Sequence, residues 1–186
     1  MCNIINGHEY VDLGLSVVWA TCNVGAEEPE EFGDYFAWGE IEPAPFNAFT
    51  EENCRSWDVK AGEISGDKRY DAARVKWGGT WRMPKVLELC DLRNKCEWEW
   101  TTINNTHGYR VKGKNGNSIF LPAAGYWNYT SLNSADESGD YWSSSPWNVH
   151  SYDNLSSYAL SFVDSYIRAN DMRNRCCGLS IRPVSV

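Results

Sequence analysis

The sequence lacks the short motifs that mark several large enzyme classes. It contains no GxSxG nucleophile motif, no HExxH zinc motif, no phosphate-binding loop and no GxGxxG dinucleotide motif. Its cysteines include no CxxC pair, and the histidines at positions 8, 107 and 150 do not complete a zinc pattern. We therefore predict a protein that is not an enzyme and that holds no metal ion and no cofactor.

Long apolar runs and an excess of positive charge are also missing. The mean hydropathy is -0.51, and no apolar run approaches the roughly 20 residues that span a bilayer. The 17 Lys and Arg residues are outnumbered by 25 Asp and Glu, which gives a net charge of -8. Binding to a phosphate backbone depends on clustered basic residues. We therefore expect no nucleic-acid partner and no direct membrane insertion.

The cysteine count of seven is odd, so a monomer keeps at least one free thiol. Cys90 and Cys96 are either cross-linked to each other or simply core residues, and the redox compartment stays open. The first six residues have neither the basic start nor the apolar core of a signal peptide. Cys2 is a plain cysteine, which we favour, or the residue that carries a lipid anchor.

No repeat, low-complexity tract or linker divides the chain, so residues 1–186 are predicted to form a single domain. Its ten Trp and ten Tyr suit both a core and a contact surface. Residues 27–42 hold seven acidic residues and no basic one. We interpret this acidic run as a solvated loop. A calcium loop is the alternative, but the run has no EF-hand spacing.

The pattern of apolar residues predicts an α+β fold. We expect a hairpin over residues 10–20, a helix over 67–75 that begins at Asp67 and is stopped by Gly78 and Gly79, and a helix that follows Pro84. On the second helix, Val86, Leu89, Cys90 and Arg93 form one face, which Leu87 and Leu92 widen. Short strands are predicted at 34–38, 109–112, 118–121, 141–145, 158–162 and 178–184. The strands at 109–112 and 118–121 are predicted to form a hairpin around the turn residues 113–116, which read GKNG.

The last third of the chain places a polar, irregular stretch between two segments that look like rigid scaffold, residues 141–145 and 178–184. Trp142 is predicted to face the core and Tyr141 to face outward, because side chains alternate along a strand. Arg82 and Arg182 are interpreted as structural partners of carboxylates or carbonyls. The candidate ligand-binding residues are of the types enriched at binding hot spots or are polar: Trp147, Asn148, His150, Tyr152, Asp153, Tyr166, Arg168, Asn170, Asp171, Met172 and Asn174.

Several segments together resemble a known family. They read NGHEYVDLGL (6–15), WATCNVGA (19–26), YFAWGE (35–40), WGGTWRMP (77–84), GNSIFLPAAGY (116–126), YWSSS (141–145) and GLSIRPV (178–184). Their order and density resemble the Fibrobacter succinogenes major paralogous domain, which is similar to the formylglycine-generating-enzyme variety of the C-type lectin fold. The resemblance implies short helices around a central antiparallel sheet, with the N- and C-terminal strands close together.

Some members of that family are variable proteins of diversity-generating retroelements, in which reverse transcription changes adenines in a C-terminal cassette. The resemblance therefore implies a variable ligand-binding face within about residues 141–182. Most residues of the stretch 166–174 fit a set that adenine changes produce from Asn codons. Met172 and Trp147 do not, so these two residues are either fixed or evidence against variation at their positions.

The function that the resemblance implies is non-enzymatic ligand binding of the receptor or adhesin type. The expected partner is a protein or glycan on another cell or particle. The expected location is a bacterial cell surface, as a secreted or lipid-anchored protein, or a phage particle. One alternative is a structural or adhesive surface domain, at a pilus tip or cell wall, without diversified binding. A less favoured alternative is an oxidoreductase of the formylglycine-generating type that uses Cys176 and Cys177. The calcium-dependent sugar motifs of animal C-type lectins are missing.

Overall fold

The computed structural model describes residues 3–43, 49–50, 52–54, 57, 59–60, 62–147 and 155–186, and within them the fold is mostly antiparallel β-sheet with two short helices. The helices are α1 (Ala72–Trp77) and α2 (Val86–Lys95). The strands are β1 (Ile4–Ile5), β2 (His8–Val11), β3 (Val18–Ala20), β4 (Glu97–Ile103), β5 (Thr106–Lys112), β6 (Ser118–Pro122), β7 (Tyr126–Asn128), β8 (Ser131–Asn133), β9 (Ser138–Pro146), β10 (Ser156–Val163), β11 (Tyr166–Asn174) and β12 (Val184–Ser185). The predicted α+β class is confirmed at this level, with β-structure dominant.

The strands form four sheets, with the orders β1-β2-β3-β12, β11-β10-β9, β4-β5-β6 and β7-β8. The first sheet brings strands from both ends of the chain together, because β12 pairs with β3. Two predicted hairpins are present, β2 with β3 and β5 with β6. The predicted strand at 34–38 is only an isolated bridge between Phe36 and Leu179.

Helix α1 begins later than its sequence pattern predicts. The side chain of Asp71, not of Asp67, caps the helix, since its Oδ1 accepts the backbone N–H of Arg74 at 2.9 Å. Residues 67–70 form a turn in which the Asp67 carboxylate accepts the backbone N–H of Arg69. The helix ends at Gly78 as predicted, with φ at 65°.

Helix α2 confirms the predicted helix but buries a narrower face. Leu89 and Leu92 are buried, whereas Leu87 is 74% exposed and does not join the core. The Glu88 carboxylate accepts the backbone N–H of Lys85 and a bidentate pair of bonds from Arg82, at 2.6 and 2.8 Å. Arg82 is therefore a structural ion-pair partner, as predicted, and it secures the start of α2.

Strands β9 and β10 are buried on both faces of the sheet, which corrects the prediction for Tyr141. Leu160 and Phe162 lie on one face with Tyr141, in a core cluster that contains Leu89 and Leu92 of α2. Ala159 and Trp142 lie on the other face, in a second cluster with Trp38, Trp81 and Leu179. Trp142 is in the core as predicted, but Tyr141 is also only 1% exposed. A strand that is covered on both sides has no outward face for an aromatic residue.

The predicted strand at 178–184 is not one continuous strand. Its main chain instead bridges to Trp127, Phe36, Tyr141 and Arg82 in turn, and only Val184–Ser185 forms a regular strand. These bonds connect three of the sheets and the segment before α2 to a single extended stretch. Apolar and polar residues alternate along this segment because other parts of the main chain lie on both sides of it.

Arg182 lies in this segment with a fully buried guanidinium. Its Nε donates to Asn23 Oδ1 at 2.8 Å, and its Nη1 donates to the carbonyls of Ala20 and Thr21. Among the described residues no carboxylate pairs with it. Burial lowers the pKa of Arg182 below its ordinary value. The predicted structural role is confirmed, with carbonyl oxygens as the partners.

We expect Arg182→Met to lower the free energy of unfolding by about 3 kcal/mol, because it leaves several buried acceptors without a donor. Denaturation in urea at pH 7 measures the change. Arg69→Met is the matched control: its side chain is 74% exposed and pairs with Asp67, so the loss should stay below about 1 kcal/mol. Equal losses in the two variants would contradict a structural role for the buried guanidinium.

Candidate functional site

Strand β11 carries the C-terminal half of the predicted binding residues. It is nine residues long, and among the described residues its one partner is β10, so it lies at the edge of its sheet. Exposed and covered residues alternate along it, and the exposed ones are Tyr166, Arg168, Asn170, Met172 and Asn174. The predicted irregular stretch is thus a regular strand at this point, and it presents its polar and aromatic side chains to solvent.

A register shift divides these exposed residues into two groups. Arg168 lies opposite Ser161, whereas Asp171 lies opposite Ala159, so the two residues 169 and 170 face one position of β10. Side chains directly opposite each other share a face of the sheet. Tyr166 and Arg168 consequently point to the face of Ser161, while Met172 points to the face of Tyr158.

Tyr166 and Arg168 form the first group. The Arg168 guanidinium lies over the Tyr166 ring, 5.5 Å from its centroid, as expected for side chains two residues apart on one strand. The Tyr166 side chain is 48% exposed. Among the described residues Arg168 forms no ion pair. This pair offers an aromatic ring and an uncompensated guanidinium side by side.

Trp147, Tyr158 and Met172 form the second group. The rings of Trp147 and Tyr158 are 4.9 Å apart in an edge-to-face arrangement. Met172 lies directly opposite Tyr158 and is 45% exposed. Tyr158 was predicted only as part of the strand at 158–162, and its partly buried ring completes this apolar group. The alternation of residue types along β10 was the available signal in the sequence for the exposure of Tyr158. It does not show which end of the strand is covered by other elements.

The covered residues of β11 are held by an ion-pair network. Arg173 donates to the buried carboxylate of Asp140 through Nε and Nη2, at 2.8 and 2.7 Å, and its Nη1 lies 3.1 Å from Asp171 Oδ2. Asp140 also accepts the hydroxyl of Ser161 at 2.6 Å. Asp171 was predicted to contact ligand, but its side chain is only 19% exposed and is engaged by Arg173. Its role is to position β11.

The end of β11 is fixed by Arg175 and by a disulfide. Arg175 is buried, lies over the Trp38 ring at 4.1 Å and donates to Ser157 and to the carbonyl of Val59. The next residue, Cys176, forms a disulfide with Cys54, 122 residues away. Cross-links of this span usually stabilise a fold by about 2–4 kcal/mol. The exposed strand is therefore anchored at its C-terminal end as well as along its inner side.

The neighbouring thiol of Cys177 is free and partly buried. Burial raises its pKa to about 11, so the thiolate is disfavoured at neutral pH. Cys90 and Cys96 are also free, so the cross-link considered between them does not form.

The other predicted site residues have mixed positions. Asn148, His150, Tyr152 and Asp153 lie outside the described residues. Asn174 is exposed, but its Oδ1 accepts the backbone N–H of Cys176 at 2.9 Å, so it also shapes the turn that follows β11. Leu155, which sequence analysis did not select, is 47% exposed.

In the part of the chain that the structure describes, no group of three or more His, Cys, Asp and Glu residues is arranged to hold a metal ion. No described helix is long and apolar enough to cross a membrane. Comparisons with protein-family models, with curated proteins and with solved structures found no match for this chain.

Two arginines of the same strand test the division between covered and exposed positions. Arg173→Met should lower the free energy of unfolding by about 3–5 kcal/mol, because it leaves Asp140 buried without its cation. Arg168→Met should change it by less than about 0.5 kcal/mol, because the Arg168 side chain is exposed and forms no ion pair with the described residues. Urea denaturation of both variants at pH 7 provides the measurement. A large loss in Arg168→Met would show that the exposed positions are not free to change.

Proposed function

We propose that this chain is a non-enzymatic ligand-binding protein of the receptor or adhesin type that recognises its ligand around the open edge of β11. Tyr166 and Arg168 lie toward one face of the sheet at this edge, and Met172 with the Trp147–Tyr158 group lies toward the other. The observation that carries the proposal is the alternation along β11 between anchored and exposed side chains. The anchored residues hold the strand, so the exposed ones are preorganised for contact. Substitution at the exposed positions leaves the core unchanged.

The chemistry of the exposed residues suits a protein or glycan ligand. Trp, Tyr and Arg are enriched at binding hot spots because they combine a large area with directed hydrogen bonds. Here Trp147 and Tyr158 supply aromatic area, Met172 an adaptable apolar contact, and Arg168 a charge-assisted donor. The resemblance noted in the sequence points to the same class of function and to the C-type-lectin-like arrangement of the fold.

The state of the cysteines favours this function over cysteine-based oxidation. Of the vicinal pair, Cys176 is cross-linked to Cys54, and Cys177 has a pKa that burial raises to about 11. A redox-active thiol instead needs a lowered pKa and access to solvent. The disulfide also suits an exported protein at a bacterial or phage surface, since such bonds persist in oxidising surroundings.

Diversification of the β11 face is part of the proposal. Four of the five exposed positions of β11, namely 166, 168, 170 and 174, hold Tyr, Arg, Asn and Asn, residues compatible with adenine changes in an Asn codon. Ala169, Asp171 and Arg173 between them have structural contacts. A retroelement that altered mainly the exposed positions would change the ligand without repacking the core.

Binding to a panel of purified glycans and bacterial surface proteins tests the site. For any ligand found, Tyr166→Ala with Arg168→Ala, and separately Met172→Ala, should weaken binding at least tenfold, the effect expected of hot-spot residues. Asp171 is left intact because its loss would disturb Arg173. Glu97→Ala with Thr102→Ala, exposed positions on the edge strand β4, serves as the control. Unchanged affinity in both site variants would place the binding site elsewhere.

The gene and its surroundings test diversification directly. We expect a near-copy of the DNA that encodes about residues 141–182, with mismatches only at adenines, and a reverse-transcriptase gene nearby. The mismatches should fall mainly in the codons of the exposed positions of β11 and spare those of Asp140, Asp171 and Arg173. Mismatches concentrated in the codons of buried residues would contradict the assignment of the variable face.

A further inference from the structure

A second concave site lies at different elements of the fold, beside strand β2. A cavity of about 590 Å³ opens between β2, the residues that follow β3, and the end of α1. His8, Trp77 and the carboxylate-bearing residues Glu9, Glu27 and Glu28 line it. Its volume falls within the range of about 300–1,000 Å³ that is usual for ligand pockets. We call it the acidic cavity.

One wall of the acidic cavity is aromatic and fixed in place. The rings of His8 and Trp77 are stacked in parallel, with 3.8 Å between centroids and 2° between planes. Trp77 in turn packs edge-to-face against the buried Trp81, at 5.2 Å. Burial lowers the pKa of His8 below its ordinary value, so this wall carries no positive charge at pH 7. A neutral planar wall of this kind suits a guanidinium, which stacks on aromatic faces.

The remaining charge of the acidic cavity is entirely negative. Glu9, Glu27 and Glu28 are exposed, and among the described residues none of them forms an ion pair. The lining contains no Lys or Arg. Glu31 holds the turn in shape, since its carboxylate accepts the backbone N–H groups of Glu27 and Glu28 at 2.8 and 3.2 Å. The acidic run is thus an ordered loop with carboxylates around a concave surface.

An apolar cavity adjoins the acidic one. It measures about 200 Å³, is lined by Ile103, Ile119 and Phe120, and shares Thr21 and Pro29 with the acidic cavity. Arg110 also lines it, but its guanidinium donates to Glu99 at 3.0 Å and is therefore neutralised. Because they meet at Thr21 and Pro29, we call the two cavities together the groove, with an acidic end and an apolar end.

We propose that this groove binds a basic peptide segment, with an arginine side chain in the acidic cavity and a neighbouring apolar side chain in the apolar cavity. The three carboxylates attract the guanidinium, the His8–Trp77 stack offers it a face, and the adjoining hydrophobic pocket accepts the next side chain. A bare metal ion does not fit as well, because no described carboxylate group has the arrangement of a metal site. The groove is independent of the β11 face.

Titration of the ¹⁵N-labelled protein with the peptide Ac-Leu-Arg-Leu-NH₂, followed by NMR, tests the proposal. We expect shifts at Thr21 and at residues 26–28, which line the groove. The citrulline analogue, which keeps the shape of arginine without its charge, should bind at least tenfold more weakly. Ac-Gly-Arg-Gly-NH₂ should also bind more weakly than the leucine peptide, since it leaves the apolar cavity empty.

Variants separate the two ends of the groove. Glu27→Gln with Glu28→Gln should weaken binding of the leucine peptide at least tenfold, while Glu97→Gln with Glu137→Gln, exposed acids elsewhere, should not. Ile103→Ser should reduce the preference for leucine over glycine. Equal binding of the arginine and citrulline peptides, unchanged binding by the Glu27 and Glu28 variant, or free arginine amide binding as tightly as the leucine peptide would each overturn the proposal.

Discussion

The fold depends on a charge that is held away from water. The guanidinium of Arg182 donates to Asn23 Oδ1 and to two main-chain carbonyls rather than to a carboxylate. Because desolvation of a cation is unfavourable unless oxygen atoms replace the lost water, the segment around Arg182 and the residues that follow β3 must fold together. That same segment bridges to Trp127, Phe36 and Tyr141. One buried side chain therefore fixes the stretch on which three sheets meet.

In the rest of the fold, the residues that stabilise the structure are different from the residues that face solvent. The ion pair between Arg173 and Asp140 holds the covered side of β11, and the Cys54–Cys176 disulfide fixes the chain just after its C-terminal end. The exposed side chains of Tyr166, Arg168 and Met172 contribute little to the stability of the fold. The acidic groove follows the same division, since Glu31 shapes the turn while Glu27 and Glu28 remain exposed. Both of the proposed binding surfaces are thus held by residues other than the exposed ones.

Elements whose structure depends on neighbouring residues were predicted correctly from the sequence. The β5-β6 hairpin follows from its turn residues, and α2 from its apolar spacing and from Pro84 just before it. Features that depend on residues far apart in the chain could not be predicted from the sequence. Tyr141 is covered by an element distant in sequence, the 178–184 segment alternates without being a strand, and Cys54 and Cys176 are 122 residues apart. At the site, the residues selected from β11 include its five exposed ones, whereas Asp171 is mostly covered and paired with Arg173, and Tyr158 was not selected. The division of the strand depends on a register shift, which residue types alone do not reveal.

The bulge at Ala169 and Asn170 has a consequence for solubility. An open edge strand is a template on which other chains can add by backbone pairing, and a long flat one invites aggregation. In β11 the extra residue interrupts the ladder, and the charges of Asp171 and Arg173 follow immediately. Both features belong to the backbone and to the covered side chains, so they persist whichever residues occupy the exposed positions. The strand is therefore protected from templated polymerisation independently of the surface it displays.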